Sequence, residues 1–280
     1  MKDILQDSTR GGQIFLLLDY DGTLVPIRKA PDLAVLWPSR RRLLEQLSQN
    51  AFVCIVSGRS LVDIQKLASI KNIAYIGNHG LEISYRGRRW IHPEAKRIKP
   101  ILKDILERIR QEAGDWPGVL IEDKGLTGSI HYRRLAAPLP KKLRDIIEHE
   151  VQLKNRELKS TEGKKVLEIR PNIKWDKGRG VRELMRWLDV NEPALRIYIG
   201  DDQTDEDAFR ALRRSDITIL VGKRRDSHAR SRLPNVQAVW KFLGALLPMT
   251  LSPPFTQTSD NDDPLPSPGL TESKRGRWKF

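Results

Sequence analysis

Asp19 and Asp21 stand one residue apart where the apolar run "IFLLL" (14–18) ends. Carboxylates held this close repel unless a cation or a shared proton lies between them. Three more polar clusters follow apolar runs: "SGR" at 57–59, "GNHG" at 77–80 and "GDDQTDED" at 200–207. Asp19, Asp201, Asp202 and Asp205 offer hard oxygen ligands, and no Cys or His grouping favours zinc, so the set suits Mg²⁺. A carboxylate can also act as a nucleophile toward phosphorus, given a cation to screen its repulsion from a phosphate dianion. Asp21 falls on the same side of an extended chain as Asp19. From there it could protonate a leaving oxygen and later activate water. Ser57 offers a hydroxyl and Lys177, in "WDKG", a positive charge, two groups able to hold phosphoryl oxygens. Helix starts disfavour cations, so a lysine at the start of an expected helix hints at a role. Gly22 and Thr23 allow a sharp exit from the strand.

Elements must bring these clusters together. The apolar runs at 14–18, "AFVCIV" (51–56), "IAYIG" (73–77), "LRIYIG" (195–200) and "ITILVG" (217–222) read as buried strands. Helices are expected at roughly 40–49, capped by Ser39, and over 59–69, 178–188 and "DEDAFRAL". The segment "VQAVWKFLGALL" (236–247) reads as a strand followed by a final helix. Nearly all-apolar strands separated by helices imply a parallel sheet covered on both faces. In such a sheet ligands bind outside the C-terminal ends of the strands, where all four polar clusters fall.

The middle of the chain has a different pattern. Hairpins are expected over 81–92 (turn Arg86-Gly87), 118–133 (turn Lys124-Gly125) and 156–170 (turn near Gly163), with helices at about 94–113 and 138–153. Three hairpins and two helices predict an inserted α+β unit, an antiparallel sheet with helices on one face. The expected division is an N-terminal extension (1–12), an α/β core (13–82 and 171–248), an inserted unit (83–170) and a disordered tail rich in Pro, Ser and Asp (249–280).

The 280 residues carry a formal net charge of +14, which suits an anionic partner or simply solubility. Basic residues are scattered, without zinc-finger spacing or RRM-type aromatics, so nucleic acid is not the expected partner. The single cysteine, Cys54, lies in an apolar stretch and reads as a small core residue of a protein in a reducing, cytoplasmic setting. The start of the chain lacks a signal-peptide pattern, and no apolar run approaches the roughly 18 residues of a membrane span.

"DYDGT", "SGR", "KG" and "GDDQTDED" resemble the four motifs of the haloacid dehalogenase superfamily of phosphotransferases. With "GNHGLE", "LEIRP", "WDKG" and "YIGDDQTDEDAF", the stretch 14–248 resembles the trehalose-6-phosphate phosphatase family more narrowly. The resemblance implies a Rossmannoid core with a cap domain that closes over the sugar. It implies an Mg²⁺-dependent phosphomonoesterase acting through phospho-Asp19, with Asp21 as general acid/base and Ser57 and Lys177 on the phosphoryl group. Mg²⁺ would be held by Asp19, the Asp21 carbonyl and Asp201, with Asp202 and Asp205 as ligands or supports. Sugar contacts would come from the cap, the candidates being Lys124, Glu168 and the alternating Ser129, His131 and Arg133. Thr23, Gly58, Arg59, His79 and Glu82 complete the candidate substrate-binding set. Of these, Arg59 reads as a brace for its loop, His79 as a structural turn residue, a sugar contact or a hinge residue, and Glu82 as a sugar-hydroxyl acceptor or the partner of a basic neighbour. Trp175 reads as packing. The expected partner is a small sugar phosphate, trehalose 6-phosphate first and sucrose or glucosylglycerol phosphate second, bound to a monomer. A catalytically silent regulatory module is the reading from another class; Asp19, Asp21, Lys177 and Asp201 argue against it.

Overall fold

The computed structural model describes residues 13–136, 138–163, 165–190 and 194–250. The expected N-terminal extension, and the expected tail from residue 251, lie outside them.

Among the described residues, twelve strands form two sheets. The larger holds β1 (Gln13–Asp19), β2 (Phe52–Val56), β3 (Ala74–Gly77), β4 (Glu82–Tyr85), β5 (Arg88–Ile91), β10 (Ala194–Gly200), β11 (Ile217–Val221) and β12 (Ser231–Leu233). Their order is β12-β11-β10-β1-β2-β3-β4-β5, parallel from β12 to β3 and antiparallel across β3-β4-β5. Alternate side chains of the central strands enter two separate apolar layers. Ile14, Leu16, Leu18, Ile55 and Ile197 pack against the helices Pro38–Leu47 (α1), Leu61–Ala68 (α2) and Val236–Leu246 (α7). Phe15, Leu17, Cys54 and Tyr198 pack against Lys177–Trp187 (α5) and Asp205–Ala211 (α6). Burial on both faces explains why these strands read as continuous apolar runs. Cys54 is fully buried, as expected of a core residue.

The smaller sheet comprises β6 (Leu120–Asp123), β7 (Gly128–His131), β8 (Leu158–Gly163) and β9 (Val166–Pro171), antiparallel in the order β6-β7-β9-β8. Ile130, Leu167 and Ile169 face the helices Pro93–Ala113 (α3) and Leu139–Gln152 (α4). Gly128 lies so close to α3 that a Cβ would stand 2.5 Å from the Leu106 side chain.

The structure corrects four boundaries. The hairpin at 82–91 extends the large sheet, so the inserted unit has two hairpins rather than three and follows Ile91 rather than starting at residue 83. Cross-strand pairing with β3 decides this, a long-range contact that the hairpin's own sequence does not encode. Its turn does follow the sequence: Arg86 and Gly87 both have positive φ, the signature of a tight hairpin. Ser39 lies inside α1, which starts instead at Pro38, whose ring presets helical φ. Residues 236–246 are helical throughout, capped by Asn235, and the last strand precedes them. Finally, β7 ends at His131, which puts Arg133 in the following turn.

Candidate active site

The sheet order places β1 between strands that follow it in sequence on one side and strands from the chain's second half on the other. This is a topological switch point, where the loops leaving adjacent strands diverge and open a crevice. Leu18 pairs with Ile199 across one flank of β1, and Asp19 pairs with Val56 across the other. Asp19 therefore ends its strand beside the loops that carry Asp201 and Ser57.

Two glycines allow that convergence. Gly22, at φ 88°, leaves room for the Asp201 carboxylate, which would stand 2.1 Å from an added Cβ. Gly58 lets the His79 ring lie against its backbone, 2.4 Å from where a Cβ would be.

Lys177 is the hub. Asp176 caps α5 by accepting from the Arg179 amide, which sets Lys177 as the first helical residue with its side chain turned inward. Its Nζ donates to Asp19 Oδ1 and Asp205 Oδ1, both at 2.8 Å. An ammonium has three protons, so one remains for a ligand. Asp205 is saturated. Its Oδ1 also accepts from the Tyr198 hydroxyl at 2.8 Å, and its Oδ2 accepts from the Asp201 and Asp202 amides at 3.0 Å each. Asp202 Oδ1 is taken by the Thr204 amide and hydroxyl and by the Asp205 amide. Two buried oxygens stand apart: Asp19 Oδ2 and Asp201 Oδ1 receive no hydrogen bond among the described residues. Asp19, Asp201 and Asp205 each place a carboxylate oxygen within 4.8 Å of the others.

The electrostatics follow from this crowding. Burial, then Asp205, pushes the Asp19 carboxyl well above its ordinary range against the pull of Lys177. Asp201 is pushed up to about 7 by burial and by Asp205 and Asp202. Asp202 goes the other way, because Lys177 and Thr204 outweigh its burial. Burial opposes the charge on Lys177, but Asp19 and Asp205 outweigh it and raise its pKa. Burial and mutual repulsion thus disfavour the charged forms of Asp19, Asp201 and Asp205 alike. Of the three, Asp19 and Asp201 keep a buried oxygen without a hydrogen bond among the described residues, which is where a hard cation would relieve the repulsion.

Ser57 is buried; its Oγ accepts from the Arg59 amide at 3.1 Å, which leaves the hydroxyl proton free to donate. Asp21 is about a third exposed (36%) and gives both carboxylate oxygens to Arg59, at 2.6 and 2.8 Å. Thr23 is fully buried, with a hydroxyl that finds no partner among the described residues.

The sheet of the inserted unit turns its helix-free face toward this crevice. Glu122, Ser129, Glu168 and Thr161 are paired in register and form one row across all four strands. Glu168 is the centre of that row. His79 Nε2 and Lys124 Nζ each lie 3.2 Å from its Oε1, and Arg170 Nε donates to its Oε2 at 2.6 Å. Burial resists the charge on Glu168, yet these basic neighbours hold its carboxyl well below the ordinary range. His131 pairs with Glu122 at 3.2 Å.

Of the sequence candidates, Asp19, Lys177, Asp201, Asp202, Asp205, Ser57, Gly58 and His79 lie at the strand ends, and Lys124, Ser129, His131 and Glu168 lie on the facing sheet and its turn, where the His79 ring reaches Glu168. Arg133 is an exposed turn residue off that row. Glu82 has a basic neighbour, Arg89, whose Nη2 lies 3.5 Å from its Oε2. It is buried, and one carboxylate oxygen receives the Leu61 amide and the Asn78 side chain, both at 2.7 Å. Asn78 had not been singled out, although it joins the two sheets. It donates to the Lys124 carbonyl at 3.0 Å and accepts from the Thr127 hydroxyl at 2.7 Å. Glu122 and Tyr198 were also missed. Glu122 alternates correctly with its strand neighbours, but only cross-strand register aligns it with Ser129. Tyr198 reads as one more apolar strand residue until its hydroxyl is seen on Asp205.

Residues 17–237 match the family described as Trehalose-phosphatase. The chain belongs to that family. It is 33% identical over 261 residues to trehalose-phosphate phosphatase B of Arabidopsis thaliana, covering 88% of this chain and 70% of the relative. A crystal structure titled as a trehalose-6-phosphate phosphatase related protein superposes with TM-score 0.75 at 28% identity, covering 84% of this chain and 97% of the other. A haloacid dehalogenase-like hydrolase from Bacteroides thetaiotaomicron shares the fold, with TM-score 0.59 at 14% identity over 84% and 99% of the two chains. The α/β core with its inserted α+β unit is thus a haloacid dehalogenase-like fold.

Proposed function

We propose that this trehalose-phosphatase family member hydrolyses trehalose 6-phosphate to trehalose and phosphate in two steps at Asp19. The observation that carries the reading is the uncommitted Asp19 Oδ2, held beside Lys177 at the switch point. Asp19 attacks phosphorus, the bond to the sugar 6-oxygen breaks, and Asp21 gives that oxygen its proton. Ser57 and the third Lys177 proton hold the phosphoryl oxygens. A water then attacks phosphorus, Asp21 takes its proton, and the Asp19 carboxylate is restored.

The residues fit a divalent cation, and Mg²⁺ is the ion this oxygen set favours. Asp19, Asp201 and the Asp21 carbonyl would hold it; Asp205, with both oxygens committed, and Asp202, whose Oδ1 holds the Thr204 and Asp205 amides, would support the loop. When bound, it would offset the repulsion between the carboxylates and the substrate phosphate. Lys124, Ser129, His131 and Glu168 with Glu122 would receive the sugar, and closure of the inserted unit as a cap would exclude water. The single buried Cys54 suits a reducing, cytoplasmic setting; no described helix is long and apolar enough to cross a membrane.

The test is phosphate release from trehalose, sucrose and glucosylglycerol phosphates, with and without EDTA and restored Mg²⁺. Trehalose 6-phosphate should lead by more than about tenfold, EDTA should abolish turnover, and Asp19→Asn should reduce kcat by about 10⁴-fold or more. A preference for another sugar phosphate would overturn the substrate. Turnover insensitive to EDTA would overturn the metal.

A further inference from the structure

Arg59 is buried, and its guanidinium is committed to two acids. Its Nε and Nη2 donate to Asp21 Oδ2 and Oδ1 at 2.6 and 2.8 Å, a bidentate pair that fixes both the position and the plane of the carboxylate. Its Nη1 donates to Asp63 Oδ2 at 2.7 Å. Asp63 lies in the first turn of α2, where the Ser60 side chain caps its amide. The Arg59 backbone is pinned as well, its amide on Ser57 Oγ at 3.1 Å and its carbonyl under the Asn78 amide at 2.7 Å. Asp21 itself rides a tight turn through Gly22, with 36% of its side chain open to solvent. Its aim is therefore set from α2, through Arg59, rather than by its own loop.

We propose that Arg59 is a positioning residue for Asp21: anchored by Asp63, it aims the carboxyl group that passes a proton to the leaving oxygen and then takes one from water. The proposal rests on the reading of Asp21 as the general acid/base. Three of the five guanidinium protons are engaged, and Arg59 could not turn its bidentate edge to a substrate phosphate without releasing Asp21. A lysine would keep the charge but lose the planar fork. Misplacing a reacting group by about 1 Å costs on the order of 10²-fold in rate.

The test compares phosphoenzyme formation by Arg59→Lys from two substrates of different leaving group. Trehalose 6-phosphate expels an alkoxide that must be protonated; p-nitrophenyl phosphate expels a phenolate that need not be. Arg59→Lys should slow the first by about 10- to 100-fold, with KM changed less than about threefold, and the second by less than about threefold. Equal slowing of both would mean a general disturbance of the site and overturn the proposal. Added to Asp21→Asn, Arg59→Lys should cost less than about threefold more; the full single-variant loss in that background would also overturn it. Asp63→Asn removes the anchor and should show the same selectivity more weakly, so it carries the comparison by itself if Arg59→Lys does not fold. Wild-type protein that releases no phosphate from trehalose 6-phosphate would sink the substrate reading alone. The comparison would then use the alkyl phosphate it does hydrolyse.

Discussion

Lys177 shows how one side chain can serve both the fold and the chemistry. Its ammonium is buried between Asp19 and Asp205 at 2.8 Å from each. A buried cation taken from between carboxylates leaves them uncompensated, a change that typically costs about 3–5 kcal/mol. Lys177→Met should therefore lower stability by about that much in urea unfolding, in metal-free protein, as well as remove turnover. A variant as stable as wild type would mean that the acids neutralise themselves without it. "WDKG" made this lysine visible in the sequence, because a cation at a helix start runs against the helix dipole. The hydrogen bonds that separate committed from uncommitted acids were not visible. Asp201, Asp202 and Asp205 look equivalent in "GDDQTDED", and only the fold turns Asp205 toward two backbone amides and a tyrosine.

At the scale of elements, the strand ends and the helices behind them were readable because both faces of the large sheet are buried and its strands are unbroken apolar runs. The hairpin at 82–91 was not assigned correctly, since its pattern suits either sheet and only its pairing with β3 places it. The contact between "GNHG" and the smaller sheet was equally hidden. His79 has a positive φ of 55° and lies against Gly58, with its ring on Glu168. Burial lowers its pKa from 6.5 to about 4. The folded protein thus keeps His79 neutral over a range where the unfolded chain binds a proton. The resulting stability is complete above pH 6.5 and is lost as pH falls toward 4; a gap of that size corresponds to roughly 3 kcal/mol. His79→Gln cannot take up that proton. Between pH 6.5 and 4 the variant should lose less stability than wild type, as followed by urea midpoints at each pH. Parallel losses would place the acid sensitivity elsewhere.

Over the whole molecule the charge runs opposite to the site. The chain carries +14 overall, yet the deepest part of its crevice gathers Asp19, Asp201, Asp202 and Asp205. A net positive field draws anionic substrates inward, whereas the final approach of a phosphate meets carboxylates with uncommitted oxygens. The two tendencies are reconciled if a divalent cation occupies the inner site before or with the substrate. Such a cation binds the folded chain alone, because the unfolded chain does not hold Asp19 and Asp201 together. Binding must then stabilise folding by mass action, by about 4 kcal/mol when the free ion stands at a thousand times its Kd. Mg²⁺ added without substrate should raise the thermal midpoint in a saturable way, and Asp201→Asn should lose most of that rise. If the midpoint does not move, or if Asp201→Asn responds like wild type, the cation is not held by this pair of acids.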